Sequence, residues 1–406
     1  MLEAMSPPPP TRSTGAEAAG PLARLWGWAL AGAGVVAAGV ALALDSDAAR
    51  SAASQVWSPF VLVAGLLLVG LVADQDGLFA AAGDRLSRAA PNGLALFAGS
   101  ALLVAGVTAV LNLDTSVVFL TPVLVYAARS RGDGEAPLLV GCLLLSNAGS
   151  LLLPGSNLTN LIVLGHLHLS GGQFLARMAL PWAGAVVLTA AVIAVAERRS
   201  FRADRPRSDP PAGPGTDASQ PATLTLGLGA LGVVAVTVLV LTLRSPALPV
   251  AGVGVLIIGV RLATRRQEIG HVLDVLGLPV LVGLFGVALA LGTLGRAWSG
   301  PATLLAHLDA LGTTVVAAVA TVVVNNLPAA ALLASRVPPH PFALLVGLDI
   351  GPNLFVTGSL AWILWWRTAR STGSVPPVRR AVVLGLVTVP LSMAAALGLL
   401  AATGSL

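Results

Sequence analysis

Gly347-Leu348-Asp349-Ile350-Gly351-Pro352-Asn353, continuing through Leu354-Phe355-Val356-Thr357-Gly358-Ser359 into Leu360-Ala361-Trp362-Ile363-Leu364-Trp365-Trp366, breaks a hydrophobic run that begins at Phe342. The run is long enough to cross a bilayer. Its middle nevertheless holds a carboxylate, a proline and glycines that oppose a continuous helix. Backbone in hydrocarbon must be hydrogen-bonded, so such a break survives only where protein buries it or where it lines a cavity. Two half-helices meeting there present free N–H groups on one side and free carbonyls on the other, a natural place for an ion or polar solute. An aspartate at that depth is costly and marks function. The stretch reads as half of a transport site.

Composition agrees. The chain has 406 residues, of which 56% are hydrophobic and 10% charged, with mean hydropathy +0.87. A soluble domain carries about 25% charged residues, so this is an all-α polytopic membrane protein. The 45 glycines suit close helix packing in lipid. All 23 basic residues are arginine and they fall in the loops between apolar runs, a topological signal and not a nucleic-acid surface. The single cysteine, Cys142, excludes a disulfide framework and a cysteine-cluster metal site, and reads as a small packed residue.

Along the chain, residues 1–21 are proline-rich, polar and expected to be disordered. Spans are expected at Leu22–Leu44 and Val56–Val72. Two arms, Leu94–Leu111 and Val117–Ala127, flank Asn112-Leu113-Asp114-Thr115-Ser116; the short second arm suggests a re-entrant hairpin. Leu138–Leu167 is broken by Ser146–Ser150 and by Pro154–Asn160, and Pro181–Val195 ends the first half. Residues 198–221 form a charged, Pro/Gly-rich linker. Further spans are expected near Leu224–Leu243, Leu248–Leu262 and Leu276–Leu294. Arms at Ala302–Val324 and Ala329–Ala334 then surround Asn325-Asn326-Leu327-Pro328, and after the broken run Ala381–Ala402 closes the chain.

The two halves repeat. Val61-Leu62-Val63-Ala64-Gly65-Leu66 matches Val280-Leu281-Val282-Gly283-Leu284-Phe285, and each is followed by an asparagine-tipped hairpin and a broken run. Within the broken runs Asn147 aligns with Asp349, Gly149 with Gly351 and Asn157 with Ser359. The division is thus 22–197 for repeat one and 222–406 for repeat two. With a cytoplasmic N-terminus and both hairpins returning to their side of entry, only Arg50, Arg177, Arg244, Arg296 and Arg336 face outward. The remaining 18 of the 23 arginines face the cytoplasm, the bias of a plasma (inner) membrane protein. The same assignment makes the halves antiparallel, as alternating access about a central site requires.

Four polar breaks should converge. Asn112, Asp114, Thr115, Asn147, Ser156, Asn157, Thr159, Asn325, Asn326, Asp349, Asn353, Thr357 and Ser359 supply oxygens and amides for a small polar solute or ion. Asp114 and Asp349 are the candidate proton or cation carriers. Each has a plainer role open to it: Asp349 as a helix cap, Asp114 as a turn former. Membrane Asn, Ser and Thr more often join helices than bind ligands, so only their clustering informs. His166 and His168 read as loop residues, and two histidines alone make no metal site. Trp362, Trp365 and Trp366 before Arg367 read as an interfacial belt. No phosphate-binding loop, nucleophile elbow or HExxH spacing is present, so neither an ATP-driven pump nor a hydrolase has support in the chain; no cofactor is expected.

The run from Asp349 to Asn353 through Thr357-Gly358-Ser359-Leu360-Ala361 and Ile363-Leu364-Trp365 resembles the bacterial arsenite permeases, the arsenical pump membrane proteins of the ion-transporter superfamily. Ser156-Asn157-Leu158-Thr159-Asn160, Asn325-Asn326-Leu327-Pro328 and Asn112-Leu113-Asp114 are similar to that family's other signatures. The resemblance implies two inverted-topology repeats, each with scaffold helices, a re-entrant hairpin and a broken transmembrane helix. It also implies export of arsenite or antimonite as a neutral hydroxide, either in exchange for protons or together with an ATPase subunit. Asn147 stands where the resemblance would place an acid. Sister families of the same architecture carry dicarboxylates, citrate or sodium in exchange for protons, and they remain the alternative; a non-transporting membrane scaffold is the third reading, against which the paired polar breaks stand.

Overall fold

Asparagine twice turns the chain back on itself. Asn112 (φ 147°) and Asn325 (φ 76°) both hold the positive φ that ends one helix, and each side chain then caps the next, accepting from Thr115 N at 2.8 Å and Leu327 N at 3.5 Å. With ψ at 173° and 153° both lie where a side chain is strained, and the capping oxygen of asparagine helps hold the turn there. The computed structural model describes residues 21–165, 167, 169–201 and 227–406. The expected N-terminal tail, most of the linker, and His166 and His168 lie outside the described residues.

Repeat one contains α1 (Pro21–Leu44), α2 (Ser46–Gln75), α3 (Leu78–Ala89) and a hairpin of α4 (Gly93–Val110) and α5 (Leu113–Arg131). Its broken run is α6 (Glu135–Gly149), a 3-10 turn (Pro154–Ser156) and α7 (Leu158–Leu164), and α8 (Gly171–Ala196) ends it. After α9 (Leu228–Thr242), repeat two contains α10 (Ala247–Ala263), α11 (Ile269–Leu276), α12 (Leu278–Ala297) and α13 (Gly300–Ala306). Its hairpin is α14 (Ala310–Val324) and α15 (Asn326–Leu333). Its broken run is α16 (Pro341–Ile350), a 3-10 turn (Gly351–Leu354) and α17 (Leu360–Ser371), and α18 (Val378–Ala402) closes the chain.

Three expectations are corrected. The break expected at Ser146–Ser150 is helical as far as Gly149, so the first run is interrupted only from Ser150 to Asn157. The arm at Val117–Ala127 starts earlier and runs longer, because the Asn112 cap lets α5 begin inside the polar stretch. The arm at Ala302–Val324 is two helices. The first ends at Ala306 with His307 as its C-cap, and Asp309 caps the second, its Oδ1 accepting from Gly312 N at 2.7 Å.

Matching contacts within the halves show the repeat. Gly149 of repeat one lies against Ala105 and Thr108 of its hairpin, while Gly351 lies against Ala318 and Thr321 of the other. The same glycine-on-hairpin seat is therefore built twice. α1 runs alongside α12, Gly34 meeting Gly283 and Gly286 backbone to backbone, and α10 runs alongside α2, where Gly65 meets Ala251 and Gly254. In lipid, helix association rests on such close van der Waals packing, and glycine permits it. α8 and α18 pack antiparallel: Gly184 lies against Leu399, Thr189 bonds Ser392 at 2.9 Å, and Glu197 pairs with Arg380 at the far end. α9 has no counterpart in repeat one.

The innermost helices are α6 and α16. Every residue from Pro137 to Gly149 and from Phe342 to Ile350 is buried, as expected for helices apolar all round. On the outer helices Val35, Val36, Leu231, Val234, Leu256 and Val319 are exposed. Among the described residues, six helical segments are long and apolar enough to cross a membrane. A contiguous apolar exterior of this kind suits lipid and not water.

Candidate functional site

The first break owes its shape to side chains that replace lost helix bonds. After α6, Asn160 Nδ2 donates to Ser150 O at 2.8 Å and Leu153 O at 3.1 Å. The Ser156 hydroxyl bonds Ser150 O and, at 2.5 Å, Leu153 O. The two backbone carbonyls that the break frees, Ser150 O and Leu153 O, are thus satisfied inside the protein, the condition for a broken helix at this depth. Asn157, extended at φ −149°, caps α7.

The second break is held by the hairpin beside it. Asn326 N donates to Gly358 O at 2.9 Å, Asn325 Nδ2 to Thr357 O at 3.2 Å, and the Thr357 hydroxyl to Val322 O at 2.6 Å. Trp362 Nε1 closes the turn on Pro352 O at 2.9 Å. Trp365 Nε1 reaches Leu139 O on α6 at 2.8 Å. These contacts correct the interfacial-belt reading. Trp362 and Trp365 are buried because their indole N–H groups find carbonyls inside; Trp366 is at the surface, stacked under Arg370 at 5.1 Å.

The two breaks cross. Asp349 Oδ1 accepts from Thr159 Oγ1 at 2.5 Å and from Asn157 Nδ2 at 3.0 Å, both in repeat one. One turn further along, Asn353 Oδ1 accepts from Asn147 Nδ2 at 2.8 Å, and Asn353 Nδ2 returns a bond to Leu144 O at 2.9 Å. Asp349, Asn353, Asn147 and Thr159 are wholly inaccessible. None of these bonds comes from an arginine. Asp349 Oδ2, Asn147 Oδ1 and Ser359 Oγ are buried without a hydrogen-bond partner among the described residues. The crossing thus offers neutral donors and acceptors around one carboxylate.

The first hairpin meets the crossing from one side. Its tip joins α6 through a hydroxyl chain, Thr108 to Ser116 at 2.6 Å and Ser116 to Ser146 at 3.1 Å. Ser146 is the residue before Asn147. Asn112 and Thr115 are buried at this tip, and Asp114 is half-buried on the first turn of α5; none of the three enters the bonds of the crossing. Asn325 and Thr357 form the rim of the second hairpin, Thr357 exposed and Asn325 half-buried, while Ser156 serves the first break. Ser116, Ser146, Ser150 and Asn160 belong to the same polar assembly and were not singled out from sequence. Among the described residues no group of three His, Cys, Asp or Glu could hold a metal.

The chain matches the citrate transporter family over residues 22–364. It is 25% identical over 339 residues to an arsenical pump membrane protein of Escherichia coli (strain K12), covering 76% of this chain and 78% of that protein. An arsenical pump membrane protein of Yersinia enterocolitica is 26% identical over 337 residues with the same coverage. Among solved structures, the crystal structure of the Alcanivorax borkumensis YdaH transporter aligns with 89% of this chain and 90% of its own at 16% identity and TM-score 0.51. That likeness extends to fold alone.

Proposed function

The chain belongs to the citrate transporter family, a multi-pass membrane transporter, and from that premise we propose that it exports arsenite or antimonite across the inner membrane in exchange for protons, with the N-terminus and the arginine-rich face cytoplasmic. The observation that carries the reading is the crossing at Asp349. A carboxylate is wholly buried between two inverted repeats, accepts from Thr159 and Asn157, and is bonded to no cation among the described residues. A buried charge calls for a counter-charge, and the proton is the one this site leaves room for. Asp349 is therefore the proton carrier. The amides and hydroxyls of Asn147, Asn157, Thr159 and Asn353 suit a small neutral hydroxide such as arsenous acid, whose O–H groups both donate and accept. Substrate would replace bonds that the two repeats otherwise make with each other. The names of the aligned relatives support the same substrate.

The test is arsenite content in an arsenite-sensitive host. Expression should lower it, and Asp349→Asn should abolish the effect with protein still in the membrane. Unchanged content on expression would overturn the substrate.

The second reading, a sodium- or proton-coupled citrate or dicarboxylate carrier, is favoured by the name of the matching family. A multiply charged anion here would have to rely on helix N-termini and bound cations, since the crossing bonds no arginine. Labelled citrate uptake into proteoliposomes under an imposed sodium gradient distinguishes the two.

A further inference from the structure

At the arginine-poor face one glutamine bridges the two repeats. Gln55 lies on α2, and its Nε2 donates to Ile162 O at 3.0 Å and to Ala334 O at 2.8 Å. Both acceptors are carbonyls at the C-terminal ends of short helices, where intrahelical donors run out. α7 begins at Asn157 and Thr159, which hold Asp349; α15 begins at Asn325 and Asn326, which hold the second break. Each is seven or eight residues long, so the amide sits roughly 10–12 Å from the residues those helices present.

The glutamine is itself held. Arg296, near the end of α12, donates from NH2 to Gln55 Oε1 at 2.6 Å and from NH1 to Gly292 O at 2.9 Å. This fixes the amide so that Nε2, and not the oxygen, faces the two carbonyls. A charged donor also makes the strongest bond of the set. Scaffold helices α2 and α12 thereby grip one helix of each repeat's transport machinery.

The other face is tied differently: Arg129, in the last turn of α5, donates to Thr372 O at 2.8 Å and to Ser374 Oγ at 3.0 Å just past α17, and pairs with Glu135. In the register that matches Val61 with Val280, Gln55 corresponds to Asp274 and Arg296 to Gly77. Asp274 is exposed and Gly77 has no side chain. Inverted repeats supply two similar faces; each is clasped here by its own side chains, so loosening the glutamine grip acts on one face and leaves the Arg129 clasp in place.

We propose that Gln55 and Arg296 form a positioning pair that keeps α7 and α15 together on the outer face, and that releasing it is the step that opens the site outward. The proposal rests on the transporter reading for the existence of a cycle and on the proposed orientation for the word outward, but not on any substrate.

The experiment is thiol labelling without substrate in a Cys142→Ala background. Ala330→Cys places a reporter on buried α15, and Ala128→Cys places one on buried α5 near the opposite face. A membrane-impermeant maleimide is applied to right-side-out and to everted vesicles. Gln55→Ala should speed outer labelling at position 330 by about tenfold and leave inner labelling at 128 unchanged or slower. Unchanged rates would overturn the proposal, and so would equal acceleration at both faces, which means general loosening. Should Gln55→Ala fail to reach the membrane, Gln55→Glu decides in its place with the same two outcomes, since it keeps the size and the Arg296 contact but cannot donate to either carbonyl. A wrong substrate would leave these rates intact, so the two readings fail separately.

Discussion

Thr159 Oγ1 lies 2.5 Å from Asp349 Oδ1, joining residues 190 positions apart and in opposite repeats. With Asn157 it gives the carboxylate two neutral donors and no cation. Replacing Asp349 by alanine takes this acceptor from the buried Thr159 hydroxyl and leaves Asn157 Nδ2 its Ser150 contact, a loss of about 1–3 kcal/mol, and should lower the thermal midpoint of the purified protein. Asp349→Asn keeps an oxygen that can accept, so its midpoint should stay closer to that of the parent while transport is lost. A variant that melts like the parent and still exports would exclude Asp349 as the carrier.

Asn147 and Asn353 form the second contact across the repeats, amide to amide at 2.8 Å. Asn147→Asp sets a carboxylate against the Asn353 oxygen, two acceptors face to face. A protonated carboxyl can donate there and an ionised one cannot. The variant should therefore be less stable than the parent, with a larger deficit at pH 8 than at pH 5. Thermal unfolding at the two pH values measures it, and a deficit that grows toward acid would refute the pairing.

Gly385 on α18 faces the backbone of the second break so closely that a Cβ would collide with Asn353 O. Gly385→Ala should push the 3-10 turn away from Asn147, costing about 1–3 kcal/mol as overpacking does, and should reduce transport. Gly398, on the same helix, has open space around it. Gly398→Ala is the control and should leave both readouts within error.

Asn325 combines positive φ, the cap on α15 and a bond to Thr357 O. Asn325→Gly keeps the backbone and loses the rest, so transport should fall while the hairpin still forms. Asn325→Val adds strain from a β-branched side chain at φ 76°, and its midpoint should drop further than that of the glycine variant. The reverse order would mean that the turn does not depend on this φ.

Much of this architecture was legible because membranes make polar breaks conspicuous. Asp349, Gly351, Pro352 and Asn353 interrupt an apolar run, and only a buried or cavity-lining break is tolerated there. The asparagine tips carried both turn and cap in one residue. What stayed hidden depends on partners distant in sequence. Nothing local distinguishes Gln55 from any polar residue near a helix end, and Arg296 read as one more charge in an outward loop. Ser116 and Ser146 are ordinary helix hydroxyls until hairpin and broken helix meet. The tryptophans misled for a related reason: Trp362 and Trp365 occur in an interfacial pattern, but carbonyls on other elements draw them inward.

The helix without a counterpart, α9, has its own consequence. Counting each broken run as one pass, each repeat has the elements for four passes and one hairpin, an even number that returns repeat one to the side where it started. Joined directly, the two copies would point the same way, and Asp349 could not meet Thr159 head to tail. One unmatched pass turns the second copy over. α9 lies at the periphery with Leu231, Val234 and Val238 toward lipid, and its part in the carrier is parity.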